Sequence, residues 1–380
     1  MKTITLVTTS FPIANDGSEA AGSFVSDLVE ELAIQGCRVH VVAPGIANCV
    51  EDWKNNIRIY RYNAPPKPLS TLKPWVPRDF VWLIKVLING QKAVLNASLE
   101  SSHIFALWGF PSGEWARRIA KRLCIEYSVW VLGSDIWSLG KWPIVKQILA
   151  NVIRKAKNAY ADGYQLAEDA KQISGREIEF LPSTRAIITK NPPLPREQAP
   201  YRLLFLGRWH PNKGVDILLE ALALLTDADW KKIETVEIFG GGPLENLVKE
   251  KVTILQQKNR PIVLGGYLNK QEAEAAIIRS DWVLIPSRIE SIPVVFSDAI
   301  KLGRSVLSMP VGDLTHLVAD LNTGVLVQEI TAASYAKGLQ QTLNTSPAKY
   351  ESDIALQAKV FDLSLIASCL LEKLGLQNGK

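Results

Sequence analysis

Short runs of β-branched and apolar residues alternate with runs of helical period along nearly the whole chain. "TITLVTT" (3–9) is followed by "GSFVSDLVEELAIQG" (22–36), where Phe24, Leu28 and Leu32 recur at helical spacing, and then by "RVHVVAP" (38–44). Strand, helix and strand on short connections predict a parallel sheet covered on both faces. "HIFALWG", "GEWARRIAKRLC" and "YSVWVLG" continue the alternation between 103 and 133. It stops at "STRAIITKNPPLPREQAPY" (183–201), which holds Pro192, Pro193, Pro195 and Pro200 without sustained periodicity and reads as an inter-domain linker. It restarts with "RLLFLGR" (202–208), "VDILLEALALL" (215–225), "TVEIFGGGP" (235–243), "PIVLGGY" (261–267) and "DWVLIPS" (281–287). No fixed-period repeat is present. The expected class is α/β, with two Rossmann-like halves and a ligand in the cleft between them.

The chain's 380 residues suffice for two cores, and its 47% apolar and 21% charged content are those of a soluble globular protein. Cys37, Cys49, Cys124 and Cys369 lack metal-site spacing and are expected to be reduced core residues of a cytosolic protein. The opening "MKTITLVTTSFPIANDG" reads as a first buried strand rather than a signal peptide, and no stretch is expected to reach the ~20 apolar residues of a membrane span. The net charge of +5 is uneven, with 23 Lys and Arg against 17 Asp and Glu over 1–190 and 20 against 21 beyond. A basic first half suits an anionic surface or acceptor, or mere solubility.

"SRIESIPVVFSDAIKLG" (287–303) places Glu290 and Asp298 eight residues apart, with Pro293 between them. Proline is tolerated at a helix start but not in its interior, so Glu290 is expected on a loop and Asp298 in a helix starting near Pro293. Both acids then flank a helix N-terminus at the carboxyl end of a strand, where open α/β sheets bind ligands and free N–H groups attract phosphate. Carboxylates repel phosphate, so they are aimed at hydroxyl groups. A ligand with both phosphates and hydroxyls is a sugar nucleotide.

"FLGRWHPNKGVDILLEAL" (205–222) puts Gly207, Arg208 and Lys213 on one strand-to-helix loop, where a fork and a point charge suit a diphosphate or are simply solvated. "IFGGGPLENL" (238–247) offers Gly240, Gly242 and Pro243 at another strand end, without the strict dinucleotide fingerprint. The first strand also lacks that fingerprint, and Gly22 either opens a helix near a phosphate or makes a turn. Gly266, Tyr267 and Leu268 either surround a base or pack a strand end. "DAD" (227–229) reads as a solvated loop rather than a metal site.

In order and spacing, "FLGRWHPNKGVDILLEAL", "EIFGGGPLE", "VLGGYL" and "RIESIPVVFSDAIKLGRSVLSMPVGDLTHLVADLNTGVLV" resemble the retaining glycosyltransferases of family 4, which have the GT-B fold. The likeness covers almost all of the second half. It is looser in the first, through "GSFVSDLVEELAIQGCRVHVVAP" and "HIFALWGFPSGEWARRIAKRL…VWVLGSDIW". Within the family the chain is nearest in flavour to bacterial exopolysaccharide enzymes, including those building cyanobacterial envelope polysaccharides. The resemblance implies an acceptor-side domain over 1–190, a nucleotide-sugar donor domain over 200–361, and a return of 362–380 to the first domain. By the same resemblance, Arg208 and Lys213 hold the donor diphosphate and stabilise the leaving group, and Glu290 grips donor-sugar hydroxyls. Asp298, where the family usually has Glu, bonds the ribose. Main-chain N–H groups around Ile292, Pro293 and Val294 cap phosphate or sugar, and Gly22 approaches the diphosphate. Trp108, Gly133, Ser134 and Asp135 fall in the acceptor-side motifs. Leu132 stands where the family often has His, and "FALW" replaces "HAHW", which bears on sugar specificity more than on the chemistry.

The function so implied is retaining transfer of a hexose, glucose by preference, from a UDP-sugar to a saccharide or lipid-linked saccharide in polysaccharide biosynthesis. No metal, cofactor or nucleic acid is expected. The alternatives are a non-catalytic nucleotide-sugar-binding subunit and a sugar-nucleotide epimerase on a GT-B scaffold. The missing fingerprint disfavours an NAD oxidoreductase. Cytoplasmic location is expected, with peripheral membrane association through 70–95. There Lys73, Arg78, Lys85 and Lys92 interleave with aromatic residues, and Phe80, Leu83, Ile84 and Leu87 form a stripe that either meets lipid or packs on the sheet.

Overall fold

The computed structural model describes residues 2–13, 22–65 and 72–377. The chain divides into two compact units, unit 1 being Met1–Ala186 with Leu363–Lys380 and unit 2 being Ile187–Asp362.

Unit 1 is built on strands β1 (Thr3–Val7), β2 (Arg38–Gly45), β3 (Cys49–Lys54), β4 (Ile57–Asn63), β5 (His103–Leu107), β6 (Glu126–Val131), β7 (Ala159–Ala161) and β8 (Glu179–Phe180), in the order β3-β4-β2-β1-β5-β6-β7-β8. Only β3 runs antiparallel, against β4. Successive residues of a strand point to opposite faces, and both faces are buried. Ile104, Ala106, Val129 and Val131 join one core with Val86, Val94, Trp115 and Leu149. Phe105, Leu107 and Trp130 join the other with Val25, Leu28 and Leu32 of helix Ser23–Ile34. That second core is completed by Ala367, Leu370 and Leu371 of helix Leu363–Lys373, so the chain's end returns to unit 1.

Unit 2 carries β9 (Tyr201–Leu206), β10 (Ile233–Phe239), β11 (Ile262–Gly265), β12 (Trp282–Ile285), β13 (Ser305–Ser308) and β14 (Gly324–Leu326), all parallel, in the order β11-β10-β9-β12-β13-β14. This is the doubly wound order, with its reversal between β9 and β12. The proline-rich stretch is fastened to this unit. Glu274 accepts from the amides of Ile188 (3.0 Å) and Thr189 (2.6 Å), Asp281 from the amide of Arg196 (2.9 Å), and the buried Arg304 donates to the carbonyl of Pro193 (2.7 Å).

Three expectations are corrected. Cys37 is buried, but Cys49, Cys124 and Cys369 are exposed thiols. "DAD" is not a loop: Thr226 and Asp229 form a reciprocal cap on the short helix Asp227–Trp230, and Asp227 pairs with Arg260. Pro347–Lys373 is long and apolar enough by composition to cross a membrane. It folds as a turn, Pro347–Tyr350, and two helices, Glu351–Val360 and Leu363–Lys373, and it buries Ile354, Phe361, Leu363, Ala367, Leu370 and Leu371.

Candidate functional site

The reversal of strand order in unit 2 places the loops following β9 and β12 side by side at the carboxyl ends of the strands, where an open α/β sheet leaves a crevice. The first loop, 207–214, leads through Gly214 into helix Val215–Ala223. The second, 286–293, leads through Pro293 into helix Val294–Lys301, which starts without a side-chain cap.

Backbone packs directly on backbone here. Gly214 has φ +70°, and a Cβ on it would lie 1.8 Å from the carbonyl oxygen of Pro286. A Cβ on Gly240, in the loop following β10, would lie 1.9 Å from the carbonyl oxygen of Gly207. Main-chain hydrogen bonds from Arg288 N to Asn212 O (2.8 Å) and from Trp209 N to Gly241 O (2.8 Å) lock these loops together.

The charged side chains lie over this frame. Lys213 Nζ pairs with Glu290 Oε1, and Ser287 Oγ donates to the same oxygen at 3.2 Å. Glu290 is the more enclosed partner, its side chain 12% exposed against 35% for Lys213. Arg208 is exposed and makes no ion pair among the described residues. Arg288, which the sequence reading missed, grips Asp216 with two hydrogen bonds (2.9 and 2.7 Å) and donates to the carbonyl of Pro211 (2.6 Å). Burial alone would raise the Asp216 carboxyl, but the hydrogen bonds and charge of Arg288 hold it below its ordinary value. An acid in the first turn of a helix was the available signal for that partner.

The remaining donor-side candidates are Gly207, Gly242 and Pro243, on the loops that follow β9 and β10, and Gly266, Tyr267 and Leu268, beyond β11. Tyr267 is exposed, and its hydroxyl donates to Gly241 O at 2.8 Å. Ile292 is buried, Pro293 stands at the position before the helix, and Val294 opens it. Asp298 is 1% exposed with Lys301 Nζ at 3.4 Å, so the residue implied as a ribose ligand is enclosed in unit 2.

In unit 1, Gly22 (φ +79°) precedes helix Ser23–Ile34 next to Ser10. Trp108 and Gly133 both have positive φ, and Ser134 is exposed. Asp135 is fully buried and accepts from the amides of Gly109 (2.6 Å), Ile136 (3.1 Å) and Leu132 (3.3 Å). Burial pushes its carboxyl up against these bonds. It ties two loops together and is inaccessible to an acceptor. A depression of about 620 Å³, lined by Arg38, Asp52, Arg58 and Glu100, lies at the amino-terminal end of the same sheet, the wrong end for the ligand crevice. Among the described residues no three His, Cys, Asp or Glu side chains gather as a metal site.

Two Rossmann-like units of this construction define the GT-B fold. The sucrose-phosphate synthase of Thermosynechococcus elongatus superposes over 98% of both chains with a TM-score of 0.74 at 18% identity. Anabaena HepE in complex with UDP superposes over 99% of this chain and 100% of its own, with a TM-score of 0.69 at 16% identity. At the level of sequence, residues 200–345 match the family model Glycosyl transferases group 1. The putative teichuronic acid biosynthesis glycosyltransferase TuaC of Bacillus subtilis is 25% identical over 284 residues, 70% of this chain and 66% of that one. The D-inositol 3-phosphate glycosyltransferase of Corynebacterium aurimucosum is 32% identical over 148 residues, 38% of this chain and 35% of that one. The matched stretches thus span about a third to two thirds of these relatives' lengths.

Proposed function

We propose that the protein transfers a hexose from a nucleoside diphosphate sugar to a hydroxyl acceptor, with the donor held at the carboxyl ends of β9 and β12. The observation that carries this reading is the convergence at that switch point of two cations, Arg208 and Lys213, with the acid Glu290, beside a helix start that has no side-chain cap. Arg208 and Lys213 bind the diphosphate, and Glu290 accepts hydrogen bonds from donor-sugar hydroxyls. Lys213 and Glu290 satisfy each other, which holds both side chains in place over the loops.

The bond from the anomeric carbon to the β-phosphate oxygen breaks, and the leaving diphosphate takes its electron pair. The acceptor oxygen bonds to the same face of that carbon, and its proton passes to the departing phosphate, so configuration is retained. Stabilisation of the developing charge comes from Arg208, Lys213 and the helix N–H groups. Two side-chain cations in that position make a divalent metal unnecessary. UDP-glucose is the donor this reading favours, supported by the fold shared with HepE, whose solved structures include complexes with UDP and with UDP-glucose. The acceptor is a saccharide or lipid-linked saccharide of a surface polysaccharide, a reading supported by the likeness to TuaC. Its recognition is assigned to Trp108, Gly133 and Ser134 of unit 1. Nucleotide-sugar chemistry and four unpaired thiols accord with the cytoplasm.

Titrating nucleoside diphosphates and their sugars calorimetrically, with nucleotide release as readout, tests this. Arg208→Ala and Lys213→Ala should each lower turnover about 10- to 150-fold, the value of one charge-assisted hydrogen bond. Glu290→Gln should weaken the sugar nucleotide far more than the free diphosphate. Unchanged nucleotide release in both cation variants would overturn the assignment. Tight donor binding without release, across a panel of saccharide acceptors, would favour the non-catalytic subunit.

A further inference from the structure

Helix Pro77–Ser98 was open to two readings, and the structure divides its apolar residues between them. Its packed face consists of small or branched residues, Val86, Gly90, Ala93, Val94 and Ala97. Gly90 lies so close to the Trp115 ring that a Cβ would come within 2.3 Å of it. At about 100° per residue a different face carries Phe80, Val81, Ile84, Leu87 and Ile88. These five are between 37% and 51% exposed, and Trp75, just ahead of the helix, is 68% exposed. Of the stripe Phe80, Leu83, Ile84 and Leu87, only Leu83 is half-buried, and the other three are exposed.

Charge defines what this face fits. Lys73, Arg78, Lys85 and Lys92 are all exposed, and Lys85 Nζ sits 5.3 Å from the Trp82 ring centroid. Asp79 is the one carboxylate between residues 72 and 99, and it is buried, accepting from the amide of Lys73 at 3.0 Å. The accessible surface of the helix is thus apolar along more than two turns and positive beside it, with no exposed carboxylate. It is also a convex helix face, with long exposed lysines instead of a shaped pocket. An anionic bilayer supplies the complement, a hydrocarbon boundary for the apolar side chains and negative headgroups for the lysines.

We propose that this helix docks unit 1 on an anionic lipid surface, embedding Phe80, Ile84, Leu87 and Ile88 at the headgroup boundary with Trp75 beside them. The proposal does not depend on glycosyl transfer, because binding is read without donor or acceptor.

The experiment is co-sedimentation of the full chain with phosphatidylcholine vesicles, with and without phosphatidylglycerol, at low and high salt. Wild type should pellet with the anionic vesicles at low salt and be substantially released by high salt. Reversing Lys73, Arg78 and Lys85 together to Glu should lower partitioning at least a hundredfold, given roughly fivefold per cation. Phe80→Ser, Ile84→Ser and Ile88→Ser combined should lower it on both vesicle types. Both variants should keep the wild-type circular dichroism spectrum, since the reversed charges are exposed and the three apolar side chains are about half exposed. Wild type remaining in the supernatant with anionic vesicles would overturn the proposal. So would undiminished binding by the triple Ser variant. A wild-type dimer in light scattering that the triple Ser change converts to monomer would assign the face to a second copy of the chain instead.

Discussion

At the carboxyl edge of the sheet in unit 2, main chain meets main chain at Gly214 and Gly240, and the side chains above are Arg208, Lys213, Glu290, Arg288 and Asp216. At the same edge in unit 1 the loops following β5 and β6 carry Trp108, Phe110, Leu132 and Trp137, and a single inaccessible carboxylate, Asp135, joins them. Apart from edge strands β3 and β8 the two sheets share one strand order. What differs is where polar groups are spent. Unit 1 uses its acid internally, on backbone amides. Unit 2 packs its loops backbone on backbone through glycine, and its charged side chains lie over that frame, where Arg288 and Asp216 add a tie between the loops.

The largest expected effect tests the backbone half of that contrast. Gly214→Ala puts a Cβ at 1.8 Å from Pro286 O on a residue with φ +70°. Gly175, in unit 1, has φ +69° and nothing within 4 Å of its Cβ position. Gly175→Ala should cost only the left-handed penalty of about 1–2 kcal/mol, whereas Gly214→Ala should cost roughly 4 kcal/mol or more and disrupt unit 2. Urea unfolding followed by tryptophan fluorescence compares them. Equal losses would mean that loop packing in unit 2 yields readily, and the comparison would fail.

Much of this architecture is legible in the residues because both cores are regular. Continuous apolar runs such as "HIFALWG" and period-3.6 runs such as "VDILLEALALL" are dictated by burial on two faces of a parallel sheet, and they suffice for the class of fold. The positions of Arg208, Lys213 and Glu290 on loops also follow from local pattern. Side-chain accessibility does not. Nothing local separates Glu290, which reaches Lys213 over the loops, from Asp298, enclosed beside Lys301, or shows that Asp135 is consumed by three amides. Strands β3, β7 and β8 are short or half-exposed and carry little periodic signal. The sequence left helix Pro77–Ser98 open between two readings because its packed face is made of Val86, Gly90, Ala93, Val94 and Ala97, small or branched residues that a search for large apolar side chains passes over.

A second contrast is electrostatic and smaller. In unit 1, burial, with Lys157 adding to it and Glu126 opposing, lowers His103 to about 4, and its ring bonds Ser128 at 3.0 Å. In unit 2, Arg196 and then Arg202 hold Glu234 down at about 2. An unfolded histidine takes up its proton near 6.5, the folded His103 only near 4. Between those values the unfolded chain binds more protons, so unit 1 loses stability as pH falls through that window, on the order of 3 kcal/mol in all. Glu234 contributes stability that is complete above its ordinary 4.5 and is lost only as pH falls toward 2. Acid titration should therefore weaken unit 1 first. His103→Gln should flatten the loss between pH 6.5 and 4, as followed by hydrogen exchange in β5 and β9. Simultaneous loss of protection in the two strands, unaltered in the variant, would remove this distinction.

The smallest effect concerns how the charged loops of unit 2 are held in register. Arg288 and Asp216 are one-third and about one-fifth exposed, so their pairing should contribute only about 1 kcal/mol to stability. Its geometric role is larger. Arg288 belongs to the loop of Glu290, and its contacts with Asp216, Pro211 and Asn212 fix the loop of Lys213. Arg288→Ala should therefore leave the melting temperature within a few degrees of wild type yet weaken nucleotide-sugar binding about three- to tenfold, by letting Lys213 and Glu290 drift out of alignment. Asp216→Ala should have a similar effect, and the double variant should be no worse than either single change, because both sever the same tie. Additive losses in calorimetry would show that the two residues act separately. An unchanged affinity in Arg288→Ala would show that the glycine-packed backbone alone keeps the loops in place, which would sharpen the contrast with unit 1, where a side chain does that work.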